Sequence, residues 1–298
     1  MDAPTLFEQF VQAGLYLRGW SPKTVVIYRR AFVSFTRSQD NAAGSTELTK
    51  VSFELWIVRM RQRGLSPAGC NIYIRAMNAF SSWLQEQNYI AEAVVLRQIR
   101  VPQKQLAVFS DAEVAAILAH RPKRFTQIRL WTLINLLIDT GMRIDEALTL
   151  RTDRVDFDNL LLVVAGKGGR ERKIPFSPEL RRILFRFQQA MKARGLPYEW
   201  LFSARSGGRL RYRNVYRDIK RFCEHLGVRG AHVRPHCFRH FFAISYIRNG
   251  GDLYSLSRIL GHSSVKTTEI YLRSLAAEQI ATIHRRVSPL ARLAMREA

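Results

Sequence analysis

Residues 232–272 read HVRPHCFRHFFAISYIRNGGDLYSLSRILGHSSVKTTEIYL, and the organisation of the chain is read outward from them. Pro235, Gly250-Gly251 and Gly261 divide the stretch into three expected helices, at 235–249, 252–260 and 264 to about 273, because Pro suits a first helical turn and Gly the residue after a last one. The first helix opens with His236, Arg239 and His240 among Phe238, Phe241 and Phe242. A helix N-terminus favours negative charge, so cations held there beside apolar neighbours call for an anion. Free backbone N–H groups point the same way, and a phosphate is the simplest candidate. Gly261 sets His262 in the bend before the third helix, which Ser263 or Ser264 can cap. Helical spacing then puts Tyr271 on one face with Ser264, Thr267 and Thr268.

With 298 residues the chain can bury a full core and is expected to form two domains. Hydrophobic residues make up 47% and charged residues 24%, as in an ordinary globular protein. The charge balance is unusual: 47 Lys and Arg against 24 Asp and Glu give +23, with a pI near 10.8. Such an excess is self-repulsive without a polyanionic partner, and the bases are spread along the chain, so nucleic acid is favoured over an acidic small substrate or a membrane surface. No apolar run reaches bilayer length, and MDAPTLFEQF lacks a basic segment followed by an apolar one; a cytoplasmic, nucleoid-associated protein is expected. Cys70, Cys223 and Cys237 are too few and too widely spaced for a disulfide framework. Cys223, His225, His232, His236, Cys237, His240 and His262 crowd one region without paired ligand spacing, and Pro235 interrupts the regular series His232, His236, His240. Neither a metal nor a cofactor is expected.

Residues 1–96 read as four helices. Leu6, Phe10 and Leu17 mark the first; Ser21-Pro22 opens the second, residues 49–62 form the third, and Ser66-Pro67 opens the fourth, with a loop at 41–45. The segments from Gly19 and Gly64 echo each other as similar helical hairpins. Lys23, Arg29, Arg30, Arg37, Arg59, Arg61, Arg63 and Arg75 line these helices with few interspersed acids, a pattern that favours phosphate contacts. Residues 97–108 lose apolar periodicity and read as an extended linker. Ser110 and Glu113 then form a capping box at the start of a second domain, 109–298.

In that domain the strongly apolar helix 125–139 should be central. Thr140-Gly141 breaks it and a new helix starts at once, leaving Arg143 at the junction. Residues 160–165 and 172–176 read as a β-hairpin with Lys167 near its tip; its glycines lack the spacing of a nucleotide-binding loop. Helices resume at 178–194 and 212–226, separated by a flexible basic loop at 203–209, and Arg209, Arg211, Arg213, Arg217, Lys220 and Arg221 point to contact with a nucleic-acid backbone. Residues 276–284 and 287–295 carry further amphipathic pattern.

The pattern H-x-x-R-H from His236, then L-G-H-S-S around His262, then Tyr271 nine residues on, resembles the tyrosine recombinases, the lambda-integrase and Xer family. TGMRIDEALTL at 140–150 is similar to that family's first-arginine motif, with Glu146 as the acid that orients Arg143, and 166–172 resembles its GKGxKxR hairpin. The resemblance implies a mainly α fold with a small β-sheet: an N-terminal four-helix SAM-like core-binding domain at 1–96, a linker at 97–108, and an α+β catalytic domain at 109–298 whose C-terminal helix docks on a neighbouring subunit or on its own domain. It also implies a catalytic set of Arg143, Lys167, His236, Arg239, His262 and Tyr271. Tyr271 would attack a phosphodiester to form a 3′-phosphotyrosine and release a 5′-hydroxyl, while the two arginines grip the nonbridging oxygens. Lys167 would be the general acid, His236 would assist proton transfer and His262 would donate to the phosphate, without metal or ATP. The implied partner is double-stranded DNA carrying a specific recombination site, bound by a tetramer of this chain or of this chain with a related recombinase, and resolved through a Holliday junction.

The departures from the family pattern, Cys237-Phe238 and Phe241-Phe242, fall at packing positions. A DNA-binding accessory protein on the same scaffold and a type IB topoisomerase are the alternatives. Covalent trapping on a nicked duplex separates the first, and strand exchange against relaxation the second.

Overall fold

The structure, a computed structural model, describes residues 2–39, 48–102, 107–166, 171–196, 199–230, 232–262 and 264–272, with His284 and Ser288. Lys167, Ser263, the loop at 41–45, and the C-terminal segments apart from those last two residues therefore lie outside the described residues. The described residues are mainly helical with one small sheet, and the chain divides into two compact units, Met1–Lys104 and Gln105–Ala298. No helix among the described residues is long and apolar enough to cross a membrane.

The first unit comprises α1 (Ala3–Tyr16), α2 (Pro22–Thr36), α3 (Lys50–Gln62) and α4 (Pro67–Glu86). Each starts on a side chain that satisfies an orphan backbone N–H: Asp2, Ser21, Thr49 and Ser66 accept from the residue three positions on, each at 3.2 Å. The Ser-Pro starts of α2 and α4 account for the sequence echo, since both pair an N-cap serine with a proline preset for the first turn. The core is aromatic: Phe7 stacks on Phe32 with centroids 4.1 Å apart, and Phe35 on Phe53 at 4.5 Å.

The start of the expected linker is tied down. Asn78 accepts from Leu96 N (3.0 Å) and donates to Leu96 O (2.9 Å), and Asn71, two turns earlier on α4, does the same for Ile99 at 2.8 Å each way. Ser81 accepts from Val94 N at 2.8 Å. One face of α4 thus offers a ladder of amide groups that substitutes for a neighbouring strand, and an extended segment without apolar period is held as far as Ile99. Replacing Asn71 by Ala leaves both polar groups of Ile99 unpaired, so unfolding of the first unit in urea is expected to lose about 1–3 kcal/mol. Asn71→Asp, which keeps the acceptor and loses the donor, should fall between; an unchanged urea midpoint for both variants would count against the ladder.

The second unit is built on α6 (Phe125–Thr140), packed by α8 (Pro178–Lys192), α9 (Tyr212–His225) and α10 (Pro235–Arg248), with α5 (Asp111–Ala119) ahead of it. Leu133, Ile134, Leu136 and Leu137 of α6 are fully buried. The sheet is antiparallel in the order β1 (Val155–Asp156), β2 (Leu161–Ala165), β3 (Glu171–Pro175). The hairpin of β2 and β3 was expected; β1 was not, because two residues are too short to display alternation. Leu162 faces Ile174 and Val164 faces Arg172 across the hairpin, so period two places Arg172 on the inward face.

The loop expected at 203–209 is present and carries a Ser203 to Arg209 bridge and an Ala204 N to Gly208 O bond of 2.7 Å, and one further expectation is corrected. The third helix of the 232–272 stretch does not run unbroken from Ser264. After α11 (Leu253–Leu260) come a 3-10 turn, Val265–Thr267, and then α12 (Glu269–Leu272), because Ser264 stays extended without a side-chain cap and Thr268 N bonds back to Val265 O at 2.7 Å.

Candidate active site

Two helices of the second unit end on left-handed glycines, and both ends point at one guanidinium. Gly141 (φ 60°) terminates α6 and Gly261 (φ 66°) terminates α11, conformations that side-chain-bearing residues rarely adopt. Arg239, on the second turn of α10 and only 2% exposed, donates Nη1 to Gly141 O at 3.0 Å and Nη2 to Leu260 O at 2.8 Å. Carbonyls at a helix C-terminus lack intrahelical partners and carry the negative end of the dipole, so they offset a charge whose burial would otherwise be costly. Burial first, and then the charge of Arg143, lower the Arg239 pKa to about 10, which leaves it cationic at neutral pH.

The same guanidinium fixes an imidazole and acts on the phenol through its charge. Arg239 Nη2 lies 2.8 Å from His262 Nε2, and arginine only donates. His262 therefore accepts at Nε2, carries its proton on Nδ1, and donates from there to Thr268 Oγ1 at 2.7 Å. Tyr271 is 2% exposed; its hydroxyl lies 3.2 Å from His240 Nδ1 and within the field of Arg239. Burial raises the phenol pKa, and the positive charges of Arg239 and Arg143 pull against that rise.

Arg143 follows α6 directly and sits at the N-cap of α7 (Ile144–Leu148), half exposed. Its backbone N and Nη1 donate to Glu146 at 2.7 and 2.9 Å, and Arg172 donates two parallel bonds to the same carboxylate at 2.9 and 2.8 Å. Both Glu146 oxygens are thus doubly engaged, which is close to what a carboxylate can accept. Burial alone would raise the Glu146 pKa, but the bonds and charge of Arg172, with those of Arg143, hold it below the usual value.

The two remaining imidazoles form a pair, His236 at the exposed rim and His240 behind it, with ring centroids 4.5 Å apart. Desolvation, then His236 and Arg239, push the His240 pKa down to about 4. Desolvation, then Arg239, Arg143 and Arg172, do the same to His262, also to about 4. His236 is lowered by the same kinds of cause, desolvation ahead of Arg239 and Arg143. The cluster is a cationic recess with neutral imidazoles.

Of the six residues expected to form the site, Arg143, His236, Arg239, His262 and Tyr271 are brought together, and Lys167 lies outside the described residues. Three participants were not singled out. His240 was noted as a cation near the helix start and as the last residue of the H-x-x-R-H pattern, Thr268 as a face-mate of Tyr271, and Arg172 as the start of a strand and the end of the GKGxKxR-like segment, none with a role in the site. For Arg172 the available signal was its position two residues before the apolar Ile174, on the same face of the strand. Among the described residues no group of three or more His, Cys, Asp or Glu side chains is placed to hold a metal ion.

The chain is similar to known proteins in sequence and in fold. The sequence profile of the phage integrase family matches residues 107–278. The tyrosine recombinase XerC of Chromobacterium violaceum is 28% identical over 283 residues, covering 93% of each chain. XerC of Xanthomonas campestris pv. campestris is 30% identical over 278 residues, 91% of this chain and 84% of that protein. Two solved structures share the fold. The XerH site-specific recombinase bound to its difH substrate in a post-cleavage complex gives a TM-score of 0.75 at 20% identity, covering 95% of this chain and 84% of that one. The Tn1549 transposon integrase in complex with transposon right-end DNA gives 0.77 at 18% identity, covering 97% and 100%. The chain belongs to the phage integrase family and is a tyrosine site-specific recombinase.

Proposed function

We propose that this recombinase binds duplex DNA at a specific site and exchanges strands through a 3′-phosphotyrosine on Tyr271 and a Holliday junction, without metal or ATP. The observation that carries the reading is the buried Tyr271 hydroxyl, 3.2 Å from His240 Nδ1 and within the field of Arg239 and Arg143. In the reaction Tyr271 Oη bonds to phosphorus as the P–O5′ bond breaks. The 5′ oxygen takes a proton from Lys167, and the phenol proton leaves toward His240 Nδ1 with His236 assisting. Arg143 and Arg239 hold the nonbridging oxygens and oppose the charge that builds on the five-coordinate phosphorus. When Arg239 turns to the phosphate, His262 Nε2 is freed and, once protonated, donates to it. Because one ester replaces another, resealing needs no energy source.

The DNA partner is supported by the +23 charge and by the DNA-bound state of the XerH and Tn1549 structures. In the first unit Arg29, Arg30, Arg37 and Arg63 border a concavity of about 480 Å³ together with Tyr73, a surface suited to a phosphate backbone. A tetramer on two sites, acting in the cytoplasm, completes the reading.

Tyr271→Phe is expected to abolish detergent-resistant protein–DNA adducts while binding the site within a few-fold of the parent; adducts that persist in this variant would remove Tyr271 from its role. Arg143→Ala should lower single-turnover cleavage by about 10²–10³-fold, the range for loss of one preorganised stabilising group. A pH effect follows from the two depressed imidazoles. His240 and His262 titrate near pH 4 when folded against an ordinary 6.5, so the unfolded chain binds more protons between these values. Stability of the second unit should hold above pH 6.5 and decline as pH falls toward 4. A urea midpoint that stays flat across that window would contradict the neutral-imidazole assignment.

A further inference from the structure

Arg172 lies outside the expected catalytic set, yet three elements of the site meet on it. It stands on β3, on the inward face, opposite the buried Val164 and two residues from the buried Ile174. Its Nη1 and Nη2 grip the two oxygens of Glu146 in a fork, and its Nε donates to Ile259 O at 3.1 Å. All three guanidinium nitrogens are therefore committed, two to the acid that orients Arg143 and one to the last turn of α11, just ahead of the bend that carries His262. The fit is close. A Cβ placed on Gly261 would lie 2.8 Å from Arg172 Nε and 2.9 Å from its Cδ, so the glycine is needed for contact as well as for its backbone angle.

Glu146 is shared. Without Arg172, one arginine would face a carboxylate with half of its bonds unmet, and Arg143 would be free to swing or to pair with the acid in another way. The side chain of Arg143 is half exposed and is not gripped by packing, so its direction rests on that acid. The planar fork also sets the direction of the carboxylate, which a lysine cannot do. We propose that Arg172 is a positioning residue that clamps the Arg143–Glu146 pair to the His262 turn, so that the groups on these two loops meet one phosphate at a fixed separation. Catalytic arrays lose rate steeply when a charged group shifts by even an ångström, and this clamp acts beside the bonds of Arg239 to Gly141 and Leu260 in setting such a distance. The proposal rests on the strand-exchange reading above.

The test uses the full chain on a nicked duplex carrying the site recovered from its own covalent adducts. Single-turnover cleavage is measured with an ordinary scissile phosphodiester and with a methylphosphonate, whose uncharged group no longer needs two cations. Arg172→Gln should cleave the ordinary duplex about 10²-fold more slowly, the scale of a lost electrostatic contribution, with site affinity within about threefold. On the methylphosphonate the deficit should shrink to about fivefold or less, because the misplaced cation matters less there. Arg172→Lys should recover little, since one ammonium cannot make the fork and the third bond together. Wild-type cleavage by Arg172→Gln would overturn the proposal. So would an equal loss on both substrates, a loss that tracks DNA affinity, or unfolding of both variants at the assay temperature, each of which would make Arg172 a residue of the fold alone. Absence of adduct from the parent protein on the same gel would instead sink the strand-exchange reading.

Discussion

One buried guanidinium governs this site. Arg239 is removed from water, and burying a charge costs several kcal/mol unless something nearby replaces the solvent. The replacement here is the carbonyl ends of α6 and α11, each stopped by a left-handed glycine that turns its last peptide groups toward the arginine. Ending those helices one residue later would leave Arg239 without its acceptors. The loops that leave the two helices then carry the other cationic and polar groups of the site, Arg143 after α6 and His262 after α11. The arginine therefore orders the site besides taking part in it.

The electrostatics of the other groups follow from that arrangement. Burial first, and then the positive charge of Arg239 and its neighbours, disfavour a protonated imidazole in this recess and hold the pKa of His240 and of His262 at about 4. Neutral imidazoles can accept: His262 from Arg239, and His240 within reach of the Tyr271 hydroxyl. The phenol keeps its proton until the local charge changes, because its burial raises its pKa. A phosphate entering the recess would supply the missing negative charge, and with it both the ligand for the arginines and the condition under which the imidazoles can take a proton. Charge held in place by the fold and offset on binding is the form of preorganisation from which electrostatic catalysis draws.

Much of the fold was legible because local chemistry is explicit in it. The Ser-Pro starts of α2 and α4, the Ser110/Glu113 capping box and the glycines at 141 and 261 each mark an element end by a mechanism that needs no tertiary information. Arg143, His236, Arg239, His262 and Tyr271 could be listed because their motifs resemble those of a known family. What could not be read was which groups they bond. The amide ladder of Asn71 and Asn78 depends on an extended segment lying along α4, and β1 depends on a partner that an isolated Val155-Asp156 does not announce. The clamp at Arg172 joins β3, α7 and α11 across distances of 26 and 87 residues in sequence, and local pattern carries no sign of such a meeting. The break before α12 was missed for a similar reason: Thr268 is taken up by His262, so the backbone at Ser264–Thr268 follows a side-chain bond and not a helical period.

The most direct test of the account is to find the atom to which DNA becomes attached. Protein trapped on a nicked duplex, digested and sequenced by mass spectrometry, should yield a single nucleotide-bearing peptide with the phosphate on Tyr271, joined to the 3′ end of the cleaved strand. Attachment through a 5′ phosphate, or to any other side chain, would contradict it.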